Sequence, residues 1–244
     1  MPNLGRLNAV ILVGGLGTRL RKSITDRPKA VALVNGQPFL NYLLDDLVRA
    51  GIKRVVLCTG YMGDYIENSF GSTYSELSLA YSKEEHLLGT AGALKLAESY
   101  LVGEEILVMN GDSYVEYSVQ KFLAWHKNRN AKLSILLSKV TDVSRYGCVE
   151  VDSVGQITSF SVKSQCFGEG LISAGVYILS REVIDNIPSN VPYSLEINVF
   201  PSWIAHELYG YQGGNRFIDI GTPDSYAAAD DFLNSIFVAR NNCS

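Results

Sequence analysis

The chain has 244 residues, of which 47% are hydrophobic and 19% charged, and a net charge of −4. That length supports one large α/β domain with a substantial core, and the composition excludes a disordered chain. The acidic balance excludes a general nucleic-acid binder, whose footprint is basic.

There is no charged-then-apolar leader and no apolar run long enough to span a bilayer. The expected setting is therefore cytoplasmic, with no membrane partner. Cys58, Cys148, Cys166 and Cys243 are scattered and form no CxxC pair, so the expectation is neither zinc nor a disulfide framework. Reduced thiols fit that compartment, and Cys58, inside an apolar run, reads as a small core residue.

Met1 to Leu7 reads as a lead-in. Ala9-Val10-Ile11-Leu12-Val13 has the length and β-branching of a strand buried on both faces. It stops at Gly14-Gly15, with Gly17 close behind. Glycines let the backbone turn and leave no β-carbon in a ligand's way. Bare N–H groups in such a turn make a concave anion site. Arg19 and Lys29 bring fixed positive charge, with Arg21, Lys22 and Arg27 nearby. A strand, a glycine turn and cations together suit a triphosphate. Neither familiar glycine motif fits: Thr18-Arg19 follows Gly17 where a phosphate loop needs Lys-Ser/Thr, and Leu20 stands where a dinucleotide fingerprint needs its third glycine. The bland alternative is a tight loop with a surface Arg and Lys.

Ala30 to Val34 precedes an Asn35-Gly36 turn. Gln37 to Gly51 is expected to be helical, with Phe39, Leu40, Leu43, Leu44, Leu47 and Val48 on one face. Lys53 to Thr59 is a second buried strand, which completes a right-handed βαβ unit of a parallel sheet. Asp64 to Phe70 predicts a short helix and Leu77 to Tyr81 a strand. Gly89-Thr90-Ala91-Gly92 opens a helix to about Leu101. Ile106 to Met109 is a third apolar strand, ending in Asn110-Gly111-Asp112. A helix over Val119 to Asn128 and a strand over Lys132 to Leu137 follow.

From Tyr146 the texture changes. Stretches around Gly147–Val151, Gln156–Val162 and Leu171–Leu179 read as strands of an antiparallel substrate-side region grafted on the parallel half. Arg181 to Ile187 predicts a short helix. Ser194 can cap another, Leu195 to Glu207, kinked at Pro201. Arg216 to Ile220 is a last strand. Thr222-Pro223-Asp224 then starts a closing helix to about Val238. One domain is expected, with 7–145 the nucleotide half, 146–221 the sugar-phosphate half and 222–244 a closing helix and tail. No repeat follows it.

Asp112 sits at the carboxyl end of an apolar strand, where open α/β sheets bind ligands. A carboxylate there can hold Mg2+, which takes few ligands from the protein. A plain turn residue is the alternative. Asp219 lies in the last strand just before a helix start, and its plain reading is a buried Asp satisfied by that start. His86, His126 and His206 have no ligand or triad spacing and are expected at surface or boundary positions.

Gly14-Gly15-Leu16-Gly17-Thr18-Arg19-Leu20 with Arg27-Pro28-Lys29 resembles the signature of the sugar-1-phosphate nucleotidylyltransferases. The family usually has Pro soon after the Leu; here Arg21-Lys22-Ser23 stand there. Asn110-Gly111-Asp112 and Asp219-Ile220-Gly221-Thr222-Pro223 resemble its two metal motifs, in the expected order. The resemblance spans Leu7 to about Leu233. It implies a Rossmann-like, GT-A-like fold: a mixed, mainly parallel sheet flanked by helices.

The resemblance also implies roles. Leu12, Gly14, Gly15, Gly17, Thr18, Gly89 and Thr90 would hold the nucleotide. Arg19 and Lys29 would stabilise the leaving pyrophosphate. Asp112 and Asp219 would hold Mg2+. Gly147, Lys163, Gly175 and Glu196 would bind the sugar phosphate. Around Lys163, Val162 and Ser164 depart from the family's Glu and Pro; Glu196 is followed by Ile197-Asn198 instead of Lys-Asp.

Within the family, the short length and Lys29-Ala30-Val31-Ala32-Leu33-Val34-Asn35 with Gln37-Pro38-Phe39-Leu40 look most like the heptose 1-phosphate guanylyltransferases. That favours GTP and a sugar 1-phosphate as partners, with a homodimer left open. The alternatives are uridylyl or thymidylyl transfer, a catalytically silent nucleotide-sugar sensor, and a nicotinamide-dependent reductase.

Overall fold

The computed structural model describes residues 4–20, 24, 26–161, 165–204 and 206–241, with 238–241 as backbone alone. The strands are β1 (Asn8–Leu12), β2 (Leu33–Val34), β3 (Gln37–Pro38), β4 (Arg54–Thr59), β5 (Thr73–Tyr74), β6 (Leu77–Lys83) and β7 (Glu105–Asn110). They continue with β8 (Ser113–Val115), β9 (Leu133–Val140), β10 (Cys148–Val151), β11 (Ile157–Ser161), β12 (Gly170–Ser180), β13 (Leu208–Gly214) and β14 (Phe217–Asp219). The helices are α1 (Phe39–Ala50), α2 (Gly63–Phe70), α3 (Gly89–Leu96), α4 (Val119–Asn128), α5 (Arg181–Asp185), α6 (Phe200–Ser202), α7 (Pro223–Ala227) and α8 (Ala229–Asn241).

Eight strands form the central sheet, in the order β13-β9-β12-β7-β1-β4-β6-β5. β1 runs parallel to β4 and β7, β4 to β6, and β13 to β9. β12 runs antiparallel to both its neighbours, and β5 to β6. Six strands therefore end on one edge, which carries the loops after β1, β4, β6, β7 and β9. Strand β1 is hydrophobic on both faces because both are covered: Ala9 and Ile11 join one buried cluster and Val10 the other. Helix α1 packs Phe39, Leu40, Leu43, Leu44 and Leu47 into the first cluster. Each such side chain contributes about 1.5–3 kcal/mol by burial. Gly51 ends α1 at φ 81°, a left-handed cap whose N–H reaches the last carbonyls.

Several expectations change. Leu171–Leu179 is not part of a side region: as β12 it is an interior strand of the main sheet, and of the three stretches expected there β10 and β11 stand apart as an antiparallel pair. The helix expected over Leu195 to Glu207 is a π-helical turn, Leu195–Val199, running into α6. Pro201 has no N–H to continue the ladder, and β13, which the sequence reading did not find, follows at Leu208. His126 is buried, 2% exposed, with Nδ1 2.7 Å from Ser134 Oγ. Burial pulls its pKa down to about 4.

The cysteine expectation is overturned. Cys148 and Cys166 form a disulfide closing 18 residues of chain. The β10–β11 hairpin folds the chain back so that Cys148 faces Ser161, and Cys166 lies just beyond. Cys166 is buried with Val143 and Ile172. Cys58 is a buried free thiol, and its pKa is pushed up to about 12 by burial and by Glu84. Among the described residues no helix is long and apolar enough to cross a membrane.

Candidate active site

A cavity of about 930 Å³ opens along the carboxyl edge of the sheet. The loop after β1 supplies Gly14, Gly15, Gly17, Thr18 and Arg19 to its wall, with Leu12 at the strand end and Lys29 beyond. The β7 end supplies Asn110 and Asp112, and β14 supplies Asp219. Gly89, Thr90, Gly147, Gly175 and Glu196 also line it. Lys163, and the Arg21-Lys22-Ser23 stretch, lie outside the described residues. A smaller hollow of about 250 Å³, lined by Leu20, Ile24 and Tyr61, adjoins at Gly17 and Lys29.

Asp112 and Asp219 are far apart in sequence but adjacent in space. β14 pairs antiparallel with β8, setting Asp219 opposite Ser113, and Ile220 N–H donates to the Asp112 carbonyl at 2.9 Å. Lys29 Nζ donates to Asp112 Oδ2 at 2.5 Å. A β-carbon placed on Gly221 would lie 3.4 Å from Lys29 Nζ and 2.8 Å from Asp219 Oδ2, so the ammonium stands close to both acids. The lysine side chain is 13% exposed and the Asp112 side chain 41%. Two like charges this close need a cation nearby, and Lys29 provides one.

This donor set suits a hard divalent ion. Mg2+ takes one or two carboxylates and completes its octahedron with water and phosphate oxygens. Among the described residues no group of three or more His, Cys, Asp or Glu could enclose an ion by itself. A metal here would share its coordination with substrate.

The start of α3 differs from what its sequence suggests. Gly89 takes φ 69°, and a β-carbon there would lie 2.7 Å from the Tyr193 carbonyl oxygen. The Ala91 and Gly92 N–H groups both donate to that oxygen, at 2.9 and 3.1 Å. Thr90 Oγ1 accepts Leu195 N–H at 2.8 Å. The helix N-terminus therefore knits two segments of the wall together and offers the cavity fewer donors than expected.

Three features escaped sequence reasoning. Glu84 follows β6 directly; its residue is 9% exposed and lines the cavity. Its Oε2 accepts Leu88 N–H at 2.9 Å. Its Oε1 packs on the Gly14 and Gly60 backbones, where β-carbons would come within 2.8 and 2.6 Å of it. Burial raises its pKa, and the Leu88 N–H partly offsets that. Position at a strand's carboxyl end was the available signal. The second feature is Arg145, whose Nη2 reaches Asp219 Oδ1 at 3.2 Å. The third is the disulfide, since Cys148 lines the cavity. Neither of these last two had a signal in the linear sequence.

The sequence matches the model of the nucleotidyl transferase family over residues 8–235. It is 34% identical over 228 residues to a D-glycero-alpha-D-manno-heptose 1-phosphate guanylyltransferase of Aneurinibacillus thermoaerophilus, covering 93% of this chain and 98% of that one. It is 35% identical to a mannose-1-phosphate guanylyltransferase of Mycobacterium tuberculosis, covering 91% of this chain and 63% of that protein. The crystal structure of HddC from Yersinia pseudotuberculosis superposes with a TM-score of 0.83 at 33% identity, covering 93% of this chain and 99% of that one. A further HddC structure, complexed with GMP-PN, gives 0.81. With the family model spanning most of its length and a 34% identical relative covered almost end to end, the chain belongs to the nucleotidyl transferase family.

Proposed function

We propose that the protein transfers the guanylyl group of GTP to a heptose 1-phosphate, giving GDP-heptose and pyrophosphate. The observation that carries this reading is the convergence of Lys29, Asp112 and Asp219 beside the glycine turn after β1. The relatives named as heptose 1-phosphate guanylyltransferases, from Aneurinibacillus and from Campylobacter jejuni, support the choice of substrates.

A phosphate oxygen of the sugar 1-phosphate attacks the α-phosphorus. The bond from that phosphorus to the bridging oxygen breaks, and pyrophosphate leaves with the electron pair. The attacking oxygen is already anionic near neutral pH, so no strong base is required. Alignment and charge neutralisation are the protein's contribution. Arg19 and Lys29 face the triphosphate from the glycine turn and stabilise the leaving pyrophosphate. Asp112 and Asp219 would hold Mg2+, which when bound supplies charge neutralisation at the α-phosphate.

Sheet order supports an orientation for the substrates. With the phosphates over β1 and the acids at β7 and β14, the base lies toward β4 and β6 and the sugar toward β12 and the β10–β11 hairpin. Glu84 stands at the base end. Guanine presents N1–H and N2–H side by side, a pair that one carboxylate can accept; uracil and thymine present one N–H between two carbonyls. At the sugar end stand Gly147, Gly175 and Glu196; the family resemblance gives Lys163 the role of phosphate grip. Residues 7–145 then serve the nucleotide and 146–221 the sugar phosphate, within one domain.

A mannose 1-phosphate reading draws on the Mycobacterium tuberculosis relative. Pyrophosphate release from GTP, UTP, dTTP and ATP against heptose, mannose and glucose 1-phosphates tests the whole reading. Preference for GTP with a heptose 1-phosphate is expected. Release with none of the pairs would refute nucleotidyl transfer and leave the sensor reading.

A further inference from the structure

Arg145 lies in the loop 141–147 between β9 and β10, one residue before the cavity-lining pair Tyr146-Gly147. That loop is firmly held. The Asp142 carboxylate accepts the Ser144 N–H at 2.9 Å and the Ser144 hydroxyl at 3.0 Å. Val143 is 2% exposed, and its carbonyl accepts the Tyr146 and Gly147 N–H groups. The Tyr146 ring meets Phe217 edge-on at 5.3 Å. Phe217 is two residues before Asp219 on β14, so the loop and the acid share one support.

From this loop the Arg145 guanidinium reaches across. Nη2 donates to Asp219 Oδ1 and to Thr222 Oγ1, both at 3.2 Å. Thr222 is itself fixed as the cap of α7, its hydroxyl accepting Ser225 N–H at 3.3 Å. The guanidinium also sits 5.3 Å from the centre of the Tyr146 ring. Arg145 is thus anchored at three points around Asp219, whose side chain is only 16% exposed.

The two oxygens of Asp219 have different surroundings. Oδ1 is engaged by Arg145. Oδ2 lies against Gly221, on whose open position Lys29 Nζ also borders. A carboxylate free to rotate would present either oxygen to a cation. One tied through Oδ1 presents Oδ2 to the Lys29–Asp112 side. Groups that hydrogen-bond a ligating carboxylate fix its orientation in this way, and their loss typically costs about 10–100-fold in metal affinity.

We infer that Arg145 is a positioning residue for the metal-binding acid, fixing Asp219 so that Oδ2 faces Asp112 and the incoming divalent ion. The inference rests on the reading of Asp112 and Asp219 as metal ligands. Because Arg145 belongs to the loop that carries Tyr146 and Gly147, it also ties the sugar-side wall to the metal acid.

The test is Mn2+ binding to the purified protein in complex with a non-hydrolysable GTP analogue, measured by electron paramagnetic resonance on wild type, R145Q, R145K, D219N and the R145Q/D219N double variant. R145Q is expected to weaken Mn2+ binding by about tenfold or more, R145K to recover part of it, and the double variant to bind no more weakly than D219N. Thermal melting checks that each variant folds; if R145Q does not, R145K against wild type carries the same test, with a loss smaller than that of D219N expected. Wild-type affinity in R145Q while D219N is weakened would overturn the positioning role and leave the metal reading standing. Tighter Mn2+ binding in R145Q would show Arg145 competing with the ion, and would overturn the inference too. Additive losses in the double variant would mean that Arg145 acts without Asp219. Unchanged affinity in D219N would defeat the metal reading itself, and this inference with it.

Discussion

Reducing the Cys148–Cys166 disulfide should destabilise the cavity wall at Gly147 and Cys148. The bond closes 18 residues, and removing a cross-link of that loop length returns about 3 kcal/mol of conformational freedom to the unfolded chain. On the folded side, Cys166 is buried against Val143 and Ile172, in a small cluster separate from the two main ones. The β10–β11 pair stands outside the eight-stranded sheet, and Val149 and Ile157 pack it onto the second main cluster. If the hairpin melts with the rest, a loss of this size lowers the melting temperature by about 6–12 °C for a chain of this length. If it opens by itself, amide exchange in β10 and β11 speeds up first while the central strands stay protected. Thermal melting and hydrogen exchange, with and without a phosphine reductant and on the C148S/C166S double variant, separate the two outcomes. Cys148 and Gly147 both line the cavity, so KM for the sugar 1-phosphate should rise more than KM for GTP. An oxidised protein whose intact mass shows two extra hydrogens, or one whose melting and exchange ignore the reductant, would refute the reasoning.

Asp112→Asn should lower kcat by about a hundredfold or more with the fold retained, as loss of a transition-state charge partner does; near-normal turnover with Mg2+ would contradict its role. Arg19→Ala should cost about a hundredfold in kcat/KM, and an unchanged value would remove Arg19 from the mechanism. Glu84→Gln keeps one acceptor oxygen but replaces the other with a donor, so the ratio of kcat/KM for GTP over UTP should fall by about tenfold or more; an unchanged ratio would place base recognition elsewhere. His126 is held neutral, with its pKa lowered by burial from 6.5 to about 4. The unfolded chain then binds more protons between those values, so stability should fall as pH drops from 6.5 to 4, by on the order of 3 kcal/mol from this group. Urea unfolding of wild type and H126Q across that range checks the sign; parallel curves would remove His126 as a source of acid sensitivity.

The residues that the linear sequence revealed share a property: each belongs to a local pattern. Val10 and Ile11 sit in an unbroken apolar run because β1 is covered on both faces. Phe39, Leu43 and Leu47 recur at helical spacing because α1 has one buried face. The Thr222 cap and its Ser225 partner lie within one turn, and the structure shows the full capping box there. Gly14, Gly17, Asp112 and Asp219, which the fold brings to one cavity, stand out in the sequence because short motifs carry them, and such motifs are set by strand ends.

What stayed hidden depends on strand order, which no local window contains. Leu171–Leu179 reads as one more strand after a change of texture; only the insertion of β12 between β7 and β9 makes it an interior strand. His126 has an ordinary helical neighbourhood, and it is Ser134, on the strand beneath, that gives a buried ring its partner. Arg145 is an unremarkable loop arginine until β14 brings Asp219 beside it. The cysteine pair forms because a hairpin returns the chain, while spacing alone suggests free thiols. Two of these hidden contacts, Arg145 with Asp219 and Cys148 with Cys166, involve cavity-lining residues. The wall formed by Gly14, Gly17 and Asp112 is built at the ends of neighbouring parallel strands and is written locally, with Glu84, set against Gly14 and Gly60, as the exception. The wall formed by Cys148, Phe160, Gly175 and Glu196 is assembled from β10, β11, β12 and the turn at Leu195, contributions that meet only through the fold. On the proposed function, variation in sugar specificity arises at these non-local contacts while the glycine turn after β1 and the two acids stay fixed.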